Sequence, residues 1–118
     1  EDAIKNLKSF IKSRSLDEDG IAAIFHCSKS KNPISLISPL NKLFSELRIP
    51  RINNFRLLDE KYIEESFNNH FEIKVSIDET LEKSIKEIKL LKPESLILIF
   101  GSFYLAGEFY KLPFYKNV

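Results

Sequence analysis

The chain has 118 residues, of which 43% are hydrophobic and 30% charged, so its composition is that of one globular domain and excludes a disordered protein. The formal net charge of +1 gives no electrostatic reason for nucleic acid or an anionic membrane to be a partner. The single cysteine, Cys27, excludes an intramolecular disulfide, and no segment has the ~20 apolar residues of a membrane-spanning helix, so we expect a cytoplasmic protein.

The spacing of apolar residues predicts helices that alternate with strands along the chain. The predicted helices cover residues 3–13, 34–47, 59–69, 77–91 and 102–111. The predicted strands cover residues 21–25, 48–53, 71–76 and 96–100. Because strands that alternate with helices are joined by right-handed crossovers, this order predicts an α/β fold. We expect a single Rossmann-like, three-layer domain, residues 1–118, with a mostly parallel sheet and helices on both faces.

Prolines and polar residues mark where several of these helices begin. Pro33 and Pro39 predict that the second helix starts late or is kinked near its beginning. Asp59 is a candidate cap for the third helix. Ser76 and Glu79 have the spacing of a capping box at the start of the fourth helix.

The segment LILIFGSF, residues 96–103, ends a buried strand and begins a helix with no turn between them. In a parallel α/β sheet, ligands bind beyond the carboxyl ends of the strands, which is where Gly101 and Ser102 lie. Gly101 lets the backbone turn sharply, and Ser102 can cap the helix, whose first amide N–H groups favour an anion. The alternative is that Ser102 caps the helix and does nothing else.

Several catalytic and metal-binding motifs are absent from the sequence. It contains neither the P-loop pattern nor the glycine-rich dinucleotide fingerprint. His26 and His70 are far apart and lack neighbouring carboxylates at ligand spacing, so we expect no metal site. Cys27 follows His26 directly, but adjacent residues of an extended segment point to opposite sides, so we expect a buried cysteine and no nucleophile pair. We predict no catalytic residue in this chain.

Three segments together resemble the C-terminal domain of the Mur ligase superfamily, most closely that of the folylpolyglutamate synthases, which are often also dihydrofolate synthases. The segment LILIFGSFYLAGEFYK, residues 96–111, is similar to the strand, Gly-Ser and Leu-x-Gly-Glu helix that end the family's sequence. The segment IAAIFHCSKSKNPISLI, residues 21–37, is similar to its strand and Asp-Lys-Asp loop, with Lys31 as the lysine. The segment FRLLDEKYIEE, residues 55–65, resembles a weaker motif in which Arg56 is the arginine.

The chain departs from the family pattern at four positions. Ser30 and Asn32 stand where the family has the two acids beside its lysine. His26 stands where the family has a glycine, and Phe55 where it has a proline. The resemblance also implies that this chain is part of a longer protein, whose P-loop ATPase domain precedes Glu1.

The resemblance implies ATP-dependent addition of L-glutamate to a folate through an acyl phosphate. Ser102, with the backbone of Gly101 and Phe103, would then bind a carboxylate of glutamate, and Arg56 would clamp a carboxylate. Lys31 would bind a phosphate of the nucleotide or the incoming glutamate. The resemblance places ATP and Mg²⁺ mainly in the missing ATPase domain and implies a monomer, whose partners are the folate substrate and its own N-terminal domain. It predicts that the isolated domain is inactive.

Two alternatives stay open at the level of the sequence. One is another Mur-type amino-acid ligase, such as an enzyme that acts on peptidoglycan precursors, although the Gly-Ser-Phe-x-Leu-x-Gly-Glu ending favours the folate branch. The other is a non-catalytic α/β binding module, which the loss of both acids beside Lys31 favours. A P-loop upstream of residue 1 would distinguish a ligase from a binding module.

Overall fold

A computed structural model describes residues 20–93 and 95–112. Within these ranges the strands are β1 (Ile21–Phe25), β2 (Glu46–Pro50), β3 (Lys74–Asp78) and β4 (Leu96–Phe100). The helices are α1 (Pro33–Ile37), α2 (Glu60–His70), α3 (Leu81–Leu91) and α4 (Phe103–Tyr110), and a short 3-10 helix spans Asn41–Leu43. None of these described helices is long and apolar enough to span a membrane. The helix predicted over residues 3–13 lies outside the described residues.

All described strand pairs are parallel, and the strand order is β3-β2-β1-β4. Ala23 of β1 is paired with Leu47 of β2 on one side and with Leu98 of β4 on the other. Because the strands run in one direction, the segments that follow them leave the sheet at one edge, which we call the carboxyl edge. This edge is formed by the residues that follow Phe25, Pro50, Asp78 and Phe100. The predicted α/β class with a parallel sheet is confirmed.

Helices cover both faces of the sheet, and each face has its own buried core. One face packs against α1 and α2, where the Phe25 ring lies 5.6 Å from the Phe67 ring and 5.3 Å from the Phe100 ring, centroid to centroid. The other face packs against α3 and α4, where Ile24 is buried in one cluster with Ile85. Both faces of β1 are therefore covered, which explains why its sequence is apolar at every position.

The helix predicted over residues 34–47 is wrong beyond its first turn. α1 ends at Ile37, and Leu47 is instead fully buried in β2. Pro39 has no amide hydrogen with which to continue the helix, and the chain passes through the 3-10 helix before it becomes extended at Phe44. The apolar residues at helical spacing are thus divided between a helix and a strand.

Two predicted strands begin at the wrong residue. β2 starts at Glu46 rather than at residue 48, because its pairing with β1 already begins there, opposite Ala22. β3 was predicted from Phe71 but starts at Lys74. The Phe71 N–H still donates to the Phe67 carbonyl at 2.8 Å, so this residue caps α2 instead of entering the sheet.

The predicted helix caps are partly correct. Ser76 lies inside β3, so the predicted capping box is wrong. α3 is capped by Thr80, whose hydroxyl oxygen accepts a hydrogen bond from the Lys83 N–H at 3.1 Å. Asp59 occupies the N-cap position of α2, as predicted, although its side chain makes no capping hydrogen bond.

A network of charged side chains is buried on the α3 face of the sheet. Arg48 donates from Nη1 to Oδ1 of Asp78 at 2.9 Å and from Nε to Oε2 of Glu46 at 3.1 Å. Ser84 of α3 donates its hydroxyl hydrogen to the other Asp78 oxygen at 2.7 Å. All four residues are buried, so removing Arg48 would leave the carboxylates of Glu46 and Asp78 uncompensated in the interior.

Candidate functional site

Gly101 follows β4 directly and turns the chain into α4. Its φ of +106° lies in the region that favours glycine. A Cβ atom at this position would overlap the carbonyl oxygen of His26 and lie 2.7 Å from Cε1 of Phe25. Glycine is therefore what allows the end of β4 to pass so close to the end of β1 and to begin a helix at once.

Ser102 is the N-cap of α4. Its Oγ accepts a hydrogen bond from the Tyr104 N–H at 3.1 Å. A hydroxyl group carries one donor as well as acceptor lone pairs, so a capping serine still has a hydrogen to donate to a carboxylate. The capping role that the sequence suggested is present, and it is compatible with a role in ligand binding.

A cavity of about 420 Å³ lies between the segments that follow β1 and β4, and we call it the β1–β4 cavity. Its walls include Lys31 from the loop after β1. Across from this loop, Gly101, Ser102 and Phe103 contribute the end of β4 and the start of α4. The fold thus brings four of the five predicted site residues, from two distant segments, into one cavity.

The electrostatic character of the β1–β4 cavity is positive. The N-terminus of α4 contributes the partial positive charge of a helix dipole through the backbone at Ser102 and Phe103. Lys31 adds a full positive charge from the opposite wall. Phe103 is 95% exposed, so its side chain does not pack over the start of α4. An anionic group that enters the cavity would meet an ammonium group, a hydroxyl and a helix N-terminus.

Arg56, the fifth predicted site residue, lies beside the β1–β4 cavity rather than in its wall. Its Nη1 donates to the Tyr104 hydroxyl oxygen at 2.7 Å, and its guanidinium carbon is 5.3 Å from the centroid of the Phe55 ring. The hydrogen bond with Tyr104 raises the pKa of Arg56 above its ordinary value, so the group is cationic. A contact with α4 therefore positions this arginine near the cavity.

A buried pair, His26 and Glu60, lies behind the carboxyl edge, and the sequence analysis missed it. His26 is fully buried, with Nε2 2.7 Å from Oε2 of Glu60. Because Nδ1 accepts the Cys27 N–H at 3.0 Å, we assign the ring proton to Nε2, which donates to Glu60. Glu60 also accepts the Ile52 N–H at 3.2 Å. Burial raises the pKa of Glu60, but the hydrogen bonds from His26 and Ile52 outweigh this effect and hold it below its ordinary value.

The loops that carry Lys31 and Arg56 are joined by backbone hydrogen bonds. The Lys29 N–H donates to the Arg56 carbonyl at 2.9 Å, and the Leu58 N–H donates to the Cys27 carbonyl at 3.0 Å. Lys31 and Arg56 therefore lie on two loops that are hydrogen-bonded to each other. The only sequence signal for the buried pair was His26 itself, a histidine directly after a buried strand. It did not indicate that Glu60 is its partner.

Cys27 is buried, as predicted, and burial raises the pKa of its thiol to about 11. The thiol is therefore protonated at neutral pH and is not an activated nucleophile. Within residues 20–93 and 95–112, no group of three or more His, Cys, Asp or Glu side chains is arranged to hold a metal ion.

No protein-family model and no curated protein matches the sequence. Among solved structures, the chain is similar to the folylpolyglutamate synthetase of Helicobacter pylori, with a TM-score of 0.69 and 20% sequence identity. The similarity covers 98% of this chain and 26% of that one, so the chain spans about a quarter of the length of the structure that it matches. At this level of identity the likeness shows a shared fold, in agreement with the resemblance found in the sequence.

Proposed function

We propose that this chain is the C-terminal, glutamate-binding domain of an ATP-dependent ligase that adds L-glutamate to a folate through an acyl phosphate. The fold that it shares with a folylpolyglutamate synthetase supports the ligase class. The observation that carries the glutamate assignment is the β1–β4 cavity, in which Lys31 lies with Gly101 and Ser102 at the N-terminus of α4.

The proposed reaction joins two substrates that both carry carboxylates. ATP supplies the phosphoryl group that converts a carboxylate of the folate into an acyl phosphate, and ADP is released. The amino group of glutamate then attacks the acyl carbon, an amide bond forms, and phosphate leaves as the amine loses a proton. Because the substrates and the phosphates are anionic, positive groups that hold glutamate in place reduce the repulsion between them.

Each predicted site residue has a role in this proposal. Ser102 donates its hydroxyl hydrogen to one carboxylate of glutamate, and the backbone N–H groups at the start of α4 provide further donors. Arg56 binds the second carboxylate at the rim of the cavity, where a guanidinium can make two parallel hydrogen bonds. Lys31 provides a positive charge to the incoming glutamate and to the phosphate group that faces it.

ATP and Mg²⁺ fit the described residues through Lys31, because lysine is a common phosphate ligand. Mg²⁺ is usually bound by carboxylate and phosphate oxygens. We assign its protein ligands and the P-loop to an N-terminal ATPase domain outside this chain. The isolated 118-residue chain is therefore expected to hydrolyse no ATP, and hydrolysis by that chain would contradict the proposal.

A non-catalytic α/β binding module is the second candidate function, favoured by Ser30 and Asn32 in place of the two acids beside Lys31. Both replacements have structural roles, however. Oδ1 of Asn32 accepts the Ile34 N–H at 3.0 Å and caps α1 as an aspartate would, and the Ser30 hydroxyl lies 2.9 Å from that of Ser28. The replacements of the two acids are therefore accounted for by the structure of the loop and do not by themselves require the loss of ligase activity.

The test is a ligase assay of the complete protein with ATP and labelled glutamate, in which tetrahydrofolate and dihydropteroate are offered separately. We expect ATP-dependent incorporation of glutamate into tetrahydrofolate, and incorporation into dihydropteroate would add dihydrofolate synthase activity. ATP-dependent ligation of a different amino acid would identify another Mur-type ligase. The absence of any ATP-dependent ligation would favour the binding module.

A further inference from the structure

A second cavity, of about 510 Å³, adjoins the β1–β4 cavity at Lys31, which lines both. Its walls come from the loop after β1, with Lys29 and Asn32, and from the start of α2, with Asp59 and Tyr62. We call it the Lys29 cavity. We propose that it binds a γ-linked glutamyl residue of the acceptor, namely the residue before the one that is being extended. This inference rests on the proposed function.

The charge of the Lys29 cavity comes from two lysines. Lys29 and Lys31 are both exposed, and among the described residues neither ammonium group has a carboxylate within 4.0 Å. Asp59 contributes one carboxylate to the lining. The lining therefore carries a net positive charge, which attracts an anion. The carboxylate of Asp59 is also a strong hydrogen-bond acceptor for a donor group of the ligand.

The start of α2 adds to this character. Asp59 is the N-cap residue, but its side chain makes no capping hydrogen bond, so it does not satisfy the amides of the first turn. α2 has 11 residues, and its dipole places a partial positive charge at this end. Tyr62, in the first turn, is 55% exposed and presents both an apolar ring and a hydroxyl group to a ligand.

A γ-linked glutamyl residue carries the groups that match this lining. Its α-carboxylate pairs with Lys29, and Lys31 adds a second positive charge where the two cavities adjoin. Its amide N–H is a donor for Asp59, and its methylene groups pack against Leu58 and Tyr62. A phosphate group would bring no hydrogen-bond donor to Asp59, whereas the glutamyl residue brings its amide N–H, so a glutamyl residue of the acceptor fits this lining better than a phosphate of the nucleotide.

The position of the Lys29 cavity agrees with the order in which the substrates must lie. A ligase that lengthens a glutamate chain must hold the end of that chain next to the incoming amino acid. We assign the incoming glutamate to the β1–β4 cavity, and Lys31 separates the two cavities. The glutamyl residue that precedes the reacting one then falls on the Lys29 side.

The test compares acceptors that differ only in the number of their glutamyl residues. In the complete ligase, KM is measured for tetrahydrofolate with one glutamate and with three. We expect Lys29→Gln to raise KM for the triglutamate about tenfold, the effect of one lost charge-assisted hydrogen bond, and to leave KM for the monoglutamate, free glutamate and ATP unchanged. Lys29→Arg keeps the charge and should keep the wild-type KM values. The matched control is Lys42→Gln, in the 3-10 helix that precedes β2, which should change none of them.

Three results would overturn the inference while leaving the proposed function in place. They are an unchanged KM for the triglutamate in Lys29→Gln, an equal rise for both acceptors, and a rise confined to ATP, which would assign the cavity to the nucleotide. If the wild-type ligase adds no glutamate even to the monoglutamate, the proposed function itself is wrong, and this inference falls with it. The two failures are therefore distinguished by the wild-type measurement.

Discussion

Tyr104 accepts a 2.7 Å hydrogen bond from Nη1 of Arg56, and this bond ties the loop after β2 to the first turn of α4. The backbone N–H of the same residue donates to the capping oxygen of Ser102. One residue therefore contacts both the arginine and the serine to which we assign the two carboxylates of glutamate. The role of Tyr104 in the site follows from these contacts.

Tyr104→Phe removes the hydroxyl group that positions Arg56 and keeps the ring. In the complete ligase we expect KM for glutamate to rise about fivefold with kcat unchanged, because one hydrogen bond to a charged group is lost. Steady-state kinetics measure both constants. Tyr110→Phe, at the other end of α4, is the matched control. If the two variants have the same KM for glutamate, Arg56 does not depend on Tyr104 for binding.

Gly101→Ala should lower the free energy of unfolding by about 3 kcal/mol, because a strained positive φ is combined with a clash at the His26 carbonyl. The chain contains a matched control in Gly107, where an added Cβ meets no atom within 4 Å. Gly107→Ala should stabilise α4 by ~0.5–1 kcal/mol. Urea denaturation of both variants measures the difference. Equal stabilities would show that the turn at Gly101 does not need glycine.

Arg48→Ala should destabilise the protein by about 3–5 kcal/mol, because it leaves the carboxylates of Glu46 and Asp78 buried without their partner. Lys86→Ala removes a surface ion pair in which Nζ of Lys86 lies 3.5 Å from Oε2 of Glu82. It should lower the free energy of unfolding by less than about 0.5 kcal/mol. Urea denaturation compares the two variants. If Arg48→Ala lowers the stability as little as Lys86→Ala does, water must solvate the carboxylates of Glu46 and Asp78 in place of Arg48.

The lowered pKa of Glu60 predicts that the stability of the protein depends on pH. Burial raises its pKa, but hydrogen bonds from His26 and Ile52 lower it by more, so its pKa is lower in the folded chain than in the unfolded one. Its stabilising contribution is therefore present above the ordinary glutamate pKa of about 4.3 and is lost as the pH falls through the folded pKa. The stability difference between wild type and Glu60→Gln should stay constant from neutral pH down to about pH 5 and shrink at lower pH. A difference that grows on acidification would contradict this assignment.

Ser102→Ala and Lys31→Ala should each weaken the use of glutamate more than the binding of folate. In the complete ligase we expect KM for glutamate to rise about tenfold in each variant, with KM for the monoglutamyl folate unchanged. Ser35→Ala and Lys42→Ala are matched controls outside the β1–β4 cavity. Normal values of KM and kcat for glutamate in both site variants would make the site assignment wrong.

Much of the fold could be predicted because its strands are short apolar runs and its longer helices have periodic apolar faces. The strands at residues 21–25 and 96–100 have the predicted bounds. The prediction failed over residues 38–47, where Leu47 continues a helical spacing but is buried because β2 pairs with β1. That pairing joins segments far apart in the chain, and a local pattern does not contain it.

The same distinction applies to the candidate site. It could be predicted that Lys31 lies close to Gly101 and Ser102, because the carboxyl ends of parallel strands share one edge of the sheet. Their role in binding glutamate stays a prediction. The pairing of His26 with Glu60 could not be foreseen, because the two residues are 34 positions apart and each looks unremarkable locally.

The central claim is that the β1–β4 cavity binds the incoming glutamate, and a crystal structure of the complete ligase with glutamate and a non-hydrolysable ATP analogue tests it most directly. We predict a glutamate carboxylate about 3 Å from Oγ of Ser102, within hydrogen-bond distance of the first amides of α4. Glutamate bound in a closed, fully liganded enzyme with no contact to Ser102 or to the start of α4 would contradict the account.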